Sequence, residues 1–249
     1  SLRRQRQMCI RDSYQIDAVY DALRYNRKLL ISPTASGKSF MIYSVVRFHV
    51  GLKRKVLLVV PTTSLVEQMY KDFESYGWDA SNHCHRIYAG RERVNTNEVT
   101  ITTWQSVYQL DRSFFEEYDV VIGDEAHQFK SKSLVSIMTK MADTKYRYGF
   151  TGTLDGKQVH KLMLEGLFGP VYRTTSSSDL MEKGFLAKLN VEIITLKHEH
   201  RKFDTYNDEI EHIGLMEDRN RFISNLAKDL NGNVLVLFTR VEGHGIPLY

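Results

Sequence analysis

Cysteine is scarce: Cys9 and Cys84 are the only two in 249 residues, and no Cys-x-x-Cys pair exists. A disulfide scaffold is excluded by that scarcity, and a zinc ribbon or dithiol redox motif by the spacing. A reducing compartment is the expected setting. Long apolar runs are missing too. None outruns Val56-Leu57-Leu58-Val59-Val60, far short of the ~20 residues that span a bilayer. No secretory signal opens the chain, since Ser1-Leu2-Arg3-Arg4-Gln5-Arg6 is polar and basic. It does not begin with Met, so residues upstream are expected. Excess charge is small: 34 Lys and Arg against 30 Asp and Glu leave a formal +4. That surplus permits nucleic-acid binding without demanding it. There is no internal repeat, and low complexity is confined to Thr174–Ser178. His83-x-His85 and His198-x-His200 lack Cys or carboxylate partners at ligand spacing and read as solvated or core histidines. What is present is globular in character. Apolar residues are 42% and charged residues 26%, too apolar for a disordered chain.

Short apolar runs alternate with amphipathic stretches. The runs are Lys28–Ile31, Val56–Val60, Val99–Thr102, Val120–Ile122 and Tyr146–Phe150. Several are apolar throughout, the pattern of strands buried on both faces in a parallel sheet. Between them the spacing predicts helices over Tyr14–Tyr25, Lys38–Val50, Ser64–Tyr76 and Ser133–Met141. Repeated strand–helix units indicate right-handed βαβ crossovers in an open α/β sheet. Ligands of such a sheet bind at the carboxyl ends of its strands. Past Pro170 the character changes. Thr174–Ser178 reads as a polar linker, and Leu180–Leu186 as a helix turn with a Gly stop. Val191–Leu196 and Val234–Phe238 read as strands, and Phe203–Leu230 as helix broken near Gly214. The expected division is therefore a first domain over 1–172, a linker over 173–188, and the start of a second α/β domain over 189–249.

Two motifs carry chemistry. Ser32-Pro33-Thr34-Ala35-Ser36-Gly37-Lys38-Ser39 lies between an apolar run and a helical stretch. It fits the phosphate-loop template Gly-x-x-x-x-Gly-Lys-[Ser/Thr], except that Ser32 stands where the template has its first Gly. Gly37 lets the backbone curl towards an oxygen ligand, and N–H groups at the helix start face anionic phosphate. Lys38 places a cation on the β- and γ-phosphates, and Ser39 offers a hydroxyl to Mg²⁺. Val120-Val121-Ile122-Gly123-Asp124-Glu125-Ala126-His127 supplies the acids. Asp124, at a strand end, suits Mg²⁺ held through water. Glu125 can polarise an attacking water, and His127 can report nucleotide state to its neighbours. Phosphoryl transfer needs chiefly positioning and charge neutralisation, which these groups provide.

Together these motifs resemble those of the superfamily 2 helicases and translocases with an Asp-Glu-Ala-His box. The resemblance runs from about Arg11 to Phe238. It implies a RecA-like first domain followed by the start of a second. Arg11-Asp12-Ser13-Tyr14-Gln15 resembles the adenine-recognising element, which implies that Gln15, with Arg11 beside it, reads the base. Val60-Pro61-Thr62-Thr63 is similar to motif Ia, and Ile101-Thr102-Thr103-Trp104-Gln105-Ser106 to the Thr-x-x-Gln element on the strand backbone. Phe150-Thr151-Gly152-Thr153 stands where the family has motif III, which implies a coupling role for Thr151, Gly152 and Thr153. Leu235–Phe238 resembles the strand entering motif IV. The run Gly149-Phe150-Thr151-Gly152-Thr153-Leu154-Asp155-Gly156 resembles the recombination-helicase subfamily of T-even phages. That subfamily implies ATP and Mg²⁺ as cofactors, branched DNA and RNA–DNA loops as substrates, a monomer, and the host cytoplasm as its place.

From the residues alone, Pro61, Thr62, Thr63, Thr102 and Thr103 read as backbone contacts to a strand, and the resemblance implies the same role for Gln105. Trp104 either stacks on a base or packs against a neighbouring helix. Gly90 either admits close backbone approach or makes a plain turn. Motif V and a Gln-x-x-Gly-Arg-x-x-Arg motif VI are not found in the 249 residues, so the chain on its own is expected to bind nucleotide and turn it over slowly. A nucleotide-gated binding module without hydrolysis, an RNA helicase and a small-molecule kinase are the competing readings. The Asp-Glu-Ala-His and Thr-Trp-Gln-Ser elements count against the kinase.

Overall fold

The computed structural model describes residues 13–88, 97–154, 156–197 and 201–248. It divides into two compact units, residues 1–188 and 189–249.

The first unit is built on seven strands. They are β1 (Arg27–Ile31), β2 (Val56–Val60), β3 (Cys84–Ile87), β4 (Val99–Thr103), β5 (Val120–Gly123), β6 (Tyr146–Thr151) and β7 (Val171–Arg173). Every ladder is parallel, and the order is β3-β4-β2-β5-β6-β1-β7. The expected parallel α/β sheet is present, with the five expected strands at its centre. Two short strands, β3 and β7, extend it at the edges.

Helices cover both faces, which is why the strands are apolar throughout. One face packs α1 (Ser13–Tyr25), α2 (Lys38–Gly51) and α3 (Thr63–Ser75) on Leu30, Leu58, Ile101, Ile122 and Phe150. The short α4 (Ala80–His83) follows them. The other face carries α5 (Trp104–Val107), α6 (Arg112–Glu116), α7 (Lys132–Lys140) and α8 (Gln158–Phe168), packed on Leu29, Leu57, Val59 and Val121. Neighbouring strand residues alternate between the two cores, as the twofold strand repeat requires. Gly123 and Gly149 face each other in register on β5 and β6. A methyl on Gly123 would sit 2.7 Å from the Phe129 ring, and one on Gly149 2.9 Å from that of Phe168. Two aromatic rings therefore seat directly against the sheet beneath the acidic motif.

Two buried polar clusters lock β6. Arg147 is buried and donates to the carbonyls of Met141 at 2.6 Å, Ala142 at 2.7 Å and Thr144 at 3.1 Å. It thereby satisfies the carbonyl of the residue capping α7 and two in the turn that follows. On the opposite face His49 is fully buried. Its Nδ1 accepts from Arg54 at 3.1 Å, so its Nε2 carries the proton and donates to the Tyr148 hydroxyl, also at 3.1 Å. Burial, helped by the Arg54 guanidinium, pushes the His49 pKa down to about 4.

After β7 the expected linker is ordered within the first unit. Ser176 and Asp179 form a reciprocal cap on α9 (Ser177–Glu182), and Leu180 is buried. In the second unit the expected helical stretch is two helices, α10 (Tyr206–Leu215) and α11 (Glu217–Asp229), with the expected break near Gly214 falling at Met216. A π-helical turn at Val241–Gly245 and the short α12 (Ile246–Leu248) follow. The strands expected at Val191–Leu196 and Val234–Phe238 do not form. Both stretches are irregular, with Ile193 88%, Leu235 82% and Leu237 81% exposed. A strand needs a ladder partner, and these stretches have none among the described residues. No helix of the described residues is long and apolar enough to cross a membrane.

His49 gives a testable consequence. Its folded pKa lies below the ordinary value of 6.5, so the unfolded chain takes up the proton first. The neutral ring's contribution is complete above about pH 6.5 and is lost as pH falls towards about 4. Melting temperature is expected to decline across that window, and less steeply in His49→Gln. Equal slopes for the two proteins would contradict the assignment.

Candidate active site

The carboxyl ends of β1 and β5 carry the two motifs, with β6 between them. After β1 the chain makes a tight arch before α2. Ala35 and Gly37 both adopt the left-handed region, at φ 64° and 79°. A non-glycine residue there costs on the order of 1–3 kcal/mol, a strain typical of functional loops. Ser36, between them, is the pinned point of the arch. Its N–H donates to the Pro33 carbonyl at 3.2 Å and its hydroxyl to the same oxygen at 2.6 Å. Its carbonyl accepts from the Tyr14 hydroxyl and from Gln15 Nε2, both at 2.8 Å. Ser32 lies 2.5 Å away, hydroxyl to hydroxyl. Gly37 leaves the space that the Gln15 amide fills, because a Cβ there would meet Nε2 at 2.1 Å. No side chain caps α2 at Gly37. The first N–H groups of that 14-residue helix therefore have no side-chain cap, an arrangement able to bind an anion.

Opposite stands the acidic pair. Asp124 is buried, and its Oδ1 accepts from the Glu125 N–H at 2.9 Å. Glu125 is left-handed, at φ 47°, which turns its carboxylate towards the loop. Lys38 Nζ lies 2.5 Å from Glu125 Oε1 and 3.2 Å from Asp124 Oδ1. Burial opposes the Lys38 charge, but the two carboxylates outweigh it and hold its pKa above the usual value. Burial pushes the Asp124 pKa up, and Lys38 and the Glu125 N–H only partly offset this. The two directions agree: the cation is favoured, while the deeper carboxylate is strained by its desolvation. His127 joins this group to β6. Its Nδ1 lies 3.0 Å from Thr151 Oγ1 and 3.3 Å from Glu125 Oε2. Thr151 in turn donates to the Thr153 carbonyl at 2.9 Å. A Cβ on Gly152 would meet the Ser32 carbonyl at 3.8 Å and Thr34 Oγ1 at 3.9 Å.

The structure thus gathers residues 32–39, Gln15, Asp124, Glu125, His127 and Thr151–Thr153 on one rim. The candidate strand contacts lie further along it, at the ends of β2 and β4, where Val60 and Thr103 are in register. Thr62, Thr63 and Gln105 are exposed, Pro61 is half-buried, and Gln105 Nε2 donates to the Pro61 carbonyl at 3.4 Å. Thr62 caps α3 through the Leu65 N–H at 3.3 Å. Thr103 and Trp104 are placed differently. Thr103 is buried and its hydroxyl meets that of Ser106 at 2.8 Å. Trp104 packs on the second core, edge-on to Tyr108 at 5.8 Å. Packing is therefore the alternative the structure supports for Trp104. Arg11 and Gly90 lie outside the described residues. Sequence reasoning missed Tyr14 and Thr174. Tyr14 stands next to Gln15 and was available from that neighbourhood. Thr174 is 142 positions from Ser32, and only the placement of β7 beside β1 brings them together.

A parallel sheet with a phosphate-type arch on one strand and paired acids two strands away defines a RecA-like nucleotide-binding domain. The family described as type III restriction enzyme, res subunit, matches residues 8–156, and the chain belongs to it and, through it, to the superfamily 2 helicases. The ATP-dependent DNA helicase UvsW of Enterobacteria phage T4 is 30% identical over 249 residues, covering 95% of this chain and 49% of that protein. The DNA 3'-5' translocase XPB2 of Sulfurisphaera tokodaii is 27% identical over 192 residues, covering 76% of this chain and 41% of that protein. The crystal structure of the T4 UvsW helicase superposes with a TM-score of 0.60 at 30% identity, over 65% of this chain and 59% of that one. The chain spans about half the length, or less, of these curated relatives.

The ion-pair geometry makes a stability prediction. Asp124 is held charged against its desolvation, whereas Lys38 neutralises two acids. Asp124→Asn is expected to melt no lower than the parent at pH 7. Lys38→Met leaves two carboxylates facing each other and is expected to cost about 1–3 kcal/mol, roughly 2–12 °C in melting temperature. Thermal melts decide it; a lower melting temperature for Asp124→Asn than for Lys38→Met would reverse the reading.

Proposed function

We propose that the chain is the nucleotide-binding motor segment of an ATP-dependent DNA helicase or translocase. The observation that carries this reading is Lys38 held against Asp124 and Glu125 across the mouth of an uncapped helix start. In that reading the triphosphate takes the place of the carboxylates as Lys38's partner. The N–H groups at the start of α2 hold its β- and γ-phosphates. Gln15 reads the adenine edge, and its buried Oε1, which has no hydrogen-bond partner, supports that role as an acceptor for the exocyclic amine.

The donor set suits Mg²⁺, since the Ser39 hydroxyl and the Asp124 carboxylate are hard oxygen ligands that leave room for water. When bound, Mg²⁺ neutralises charge on the phosphates. Glu125 orients and polarises the attacking water, and its left-handed backbone aims the carboxylate at the arch. His127 relays the state of Glu125 to Thr151, and through Thr153 to the loop after β6. The exposed Thr62, Thr63 and Gln105 contact the sugar–phosphate backbone. Such contacts are independent of base sequence and weaken with salt. The UvsW relative is a DNA helicase by name, which supports DNA over RNA as the polymer; branched DNA is the substrate proposed. Residues 189–249 are read as the start of the second motor domain.

Glu125→Gln tests the chemistry. It is expected to keep MgATP affinity and to lose hydrolysis by about a hundredfold or more. Hydrolysis equal to the parent's would leave a nucleotide-gated binding module as the better reading. The polymer is tested by ATPase stimulation of the full-length protein with single strands, duplex, forks, four-way junctions and RNA. Stimulation strongest with a branched DNA is expected, and a flat response across the set would sink the motor.

A further inference from the structure

Ser32 departs from the phosphate-loop template, which has glycine at this position. Its hydroxyl is fully buried and belongs to a chain of three. Thr174 Oγ1 lies 2.9 Å from Ser32 Oγ, Ser32 Oγ lies 2.5 Å from Ser36 Oγ, and Ser36 Oγ lies 2.6 Å from the Pro33 carbonyl. Each hydroxyl has one proton, and that fixes the direction. Ser36 gives its proton to the Pro33 oxygen, which can only accept. Ser32 must then donate to Ser36, while Thr174 Oγ1 has two acceptors in reach, Ser32 Oγ at 2.9 Å and the Ile31 carbonyl at 3.2 Å, the contact to Ser32 being the shorter. No donor is left over along the chain, and a glycine at 32 would cut it in the middle.

The two ends of this chain differ in kind. One is Ser36, whose N–H, carbonyl and hydroxyl are all engaged and which sets the peptide plane just before Gly37 and Lys38. The other is the first residue beyond β7. Thr174 is also tied by its backbone, its N–H donating to the Ile31 carbonyl at 3.0 Å. Ile31 is the last residue of β1, directly before the arch. From Thr174 the chain runs through α9 towards the second unit.

We propose that Thr174 is a positioning residue for nucleotide binding. Acting through Ser32, it holds the phosphate arch in its binding shape and joins that arch to the segment leaving β7, so that the two respond together when nucleotide enters. The proposal rests on the nucleotide-site reading of residues 32–39. The substitution of the template glycine by Ser32 then has a function: it converts a bare turn into a hydroxyl bridge between the arch and the segment that leads away from the domain.

The test is a double-mutant cycle read by binding of a fluorescent ATP analogue with Mg²⁺, with Lys38→Ala as the control for the site itself. Thr174→Val keeps the shape and removes the hydroxyl; it is expected to weaken binding by about three- to tenfold. Ser32→Ala is expected to do the same, and the pair together no more than the larger single effect. Thr174→Ser is expected to restore affinity to within about twofold of the parent, which also shows that a fold defect is not the cause. A second readout is amide hydrogen exchange at Thr174. Nucleotide is expected to slow it in the parent and to leave it unchanged in Ser32→Ala. Parent binding no tighter than that of Lys38→Ala would overturn the nucleotide site and this proposal with it. Tight parent binding with Thr174→Val equal to it, additive effects in the cycle, or a Thr174 amide indifferent to nucleotide in the parent would overturn this proposal alone.

Discussion

A lysine cation held between two carboxylates at the carboxyl rim of the sheet is the interaction on which the site depends. Lys38 comes from the start of α2, and Asp124 and Glu125 from the end of β5, with β6 between β5 and β1. Opposite charges about 4 Å apart near a protein surface attract by about 4 kcal/mol. Taking each ion out of water costs several kcal/mol. The arrangement is therefore close to balance, and an anion that offers Lys38 better partners can displace it. A nucleotide site needs that property: a cation that is neutralised while it waits and released on binding. The raised Asp124 pKa expresses the same balance from the other side, a carboxylate whose desolvation Lys38 and the Glu125 N–H only partly offset.

The surrounding fold serves to hold these groups in strained positions. Ala35 and Glu125 both occupy the left-handed backbone region, one on each side of the ion pair. Such residues persist only where their surroundings over-determine them. On the loop side Ser36 is over-determined, with Tyr14, Gln15, Pro33 and Ser32 all bonded to it. On the acid side Phe129 and Phe168 fill the space above Gly123 and Gly149, and His127 ties Glu125 to Thr151. Two runs of discrete hydrogen bonds lead outward from the ion pair and the loop. One runs from Glu125 through His127 to β6, the other from Ser36 through Ser32 to Thr174.

The strands that make the site were legible because burial on both faces leaves an unbroken apolar run, as in Val56–Val60. The loop between β1 and α2 was legible because Gly37, Lys38 and Ser39 are few-choice positions. The two edge strands were not. Cys84–Ile87 contains His85 and Arg86, and Val171–Arg173 is only three residues long, so neither shows a period. The apolar stretches at Val191–Leu196 and Val234–Phe238 read as strands for the opposite reason: composition marks a segment suited to a ladder but not whether a partner strand lies beside it. Trp104 shows the limit for single residues. An aromatic after a rim strand reads equally as a stacking platform or as core, and only its packing on the second core decides between them. The Thr174–Ser32 contact spans 142 positions and carries no local signal at all.

The most direct test of the central claim is a crystal structure of the protein with a non-hydrolysable ATP analogue and Mg²⁺. The account predicts Lys38 Nζ moved off Glu125 and bonded to the β- and γ-phosphates, with Asp124 facing the metal. Nucleotide bound elsewhere, with Lys38 still paired to both acids, would contradict it.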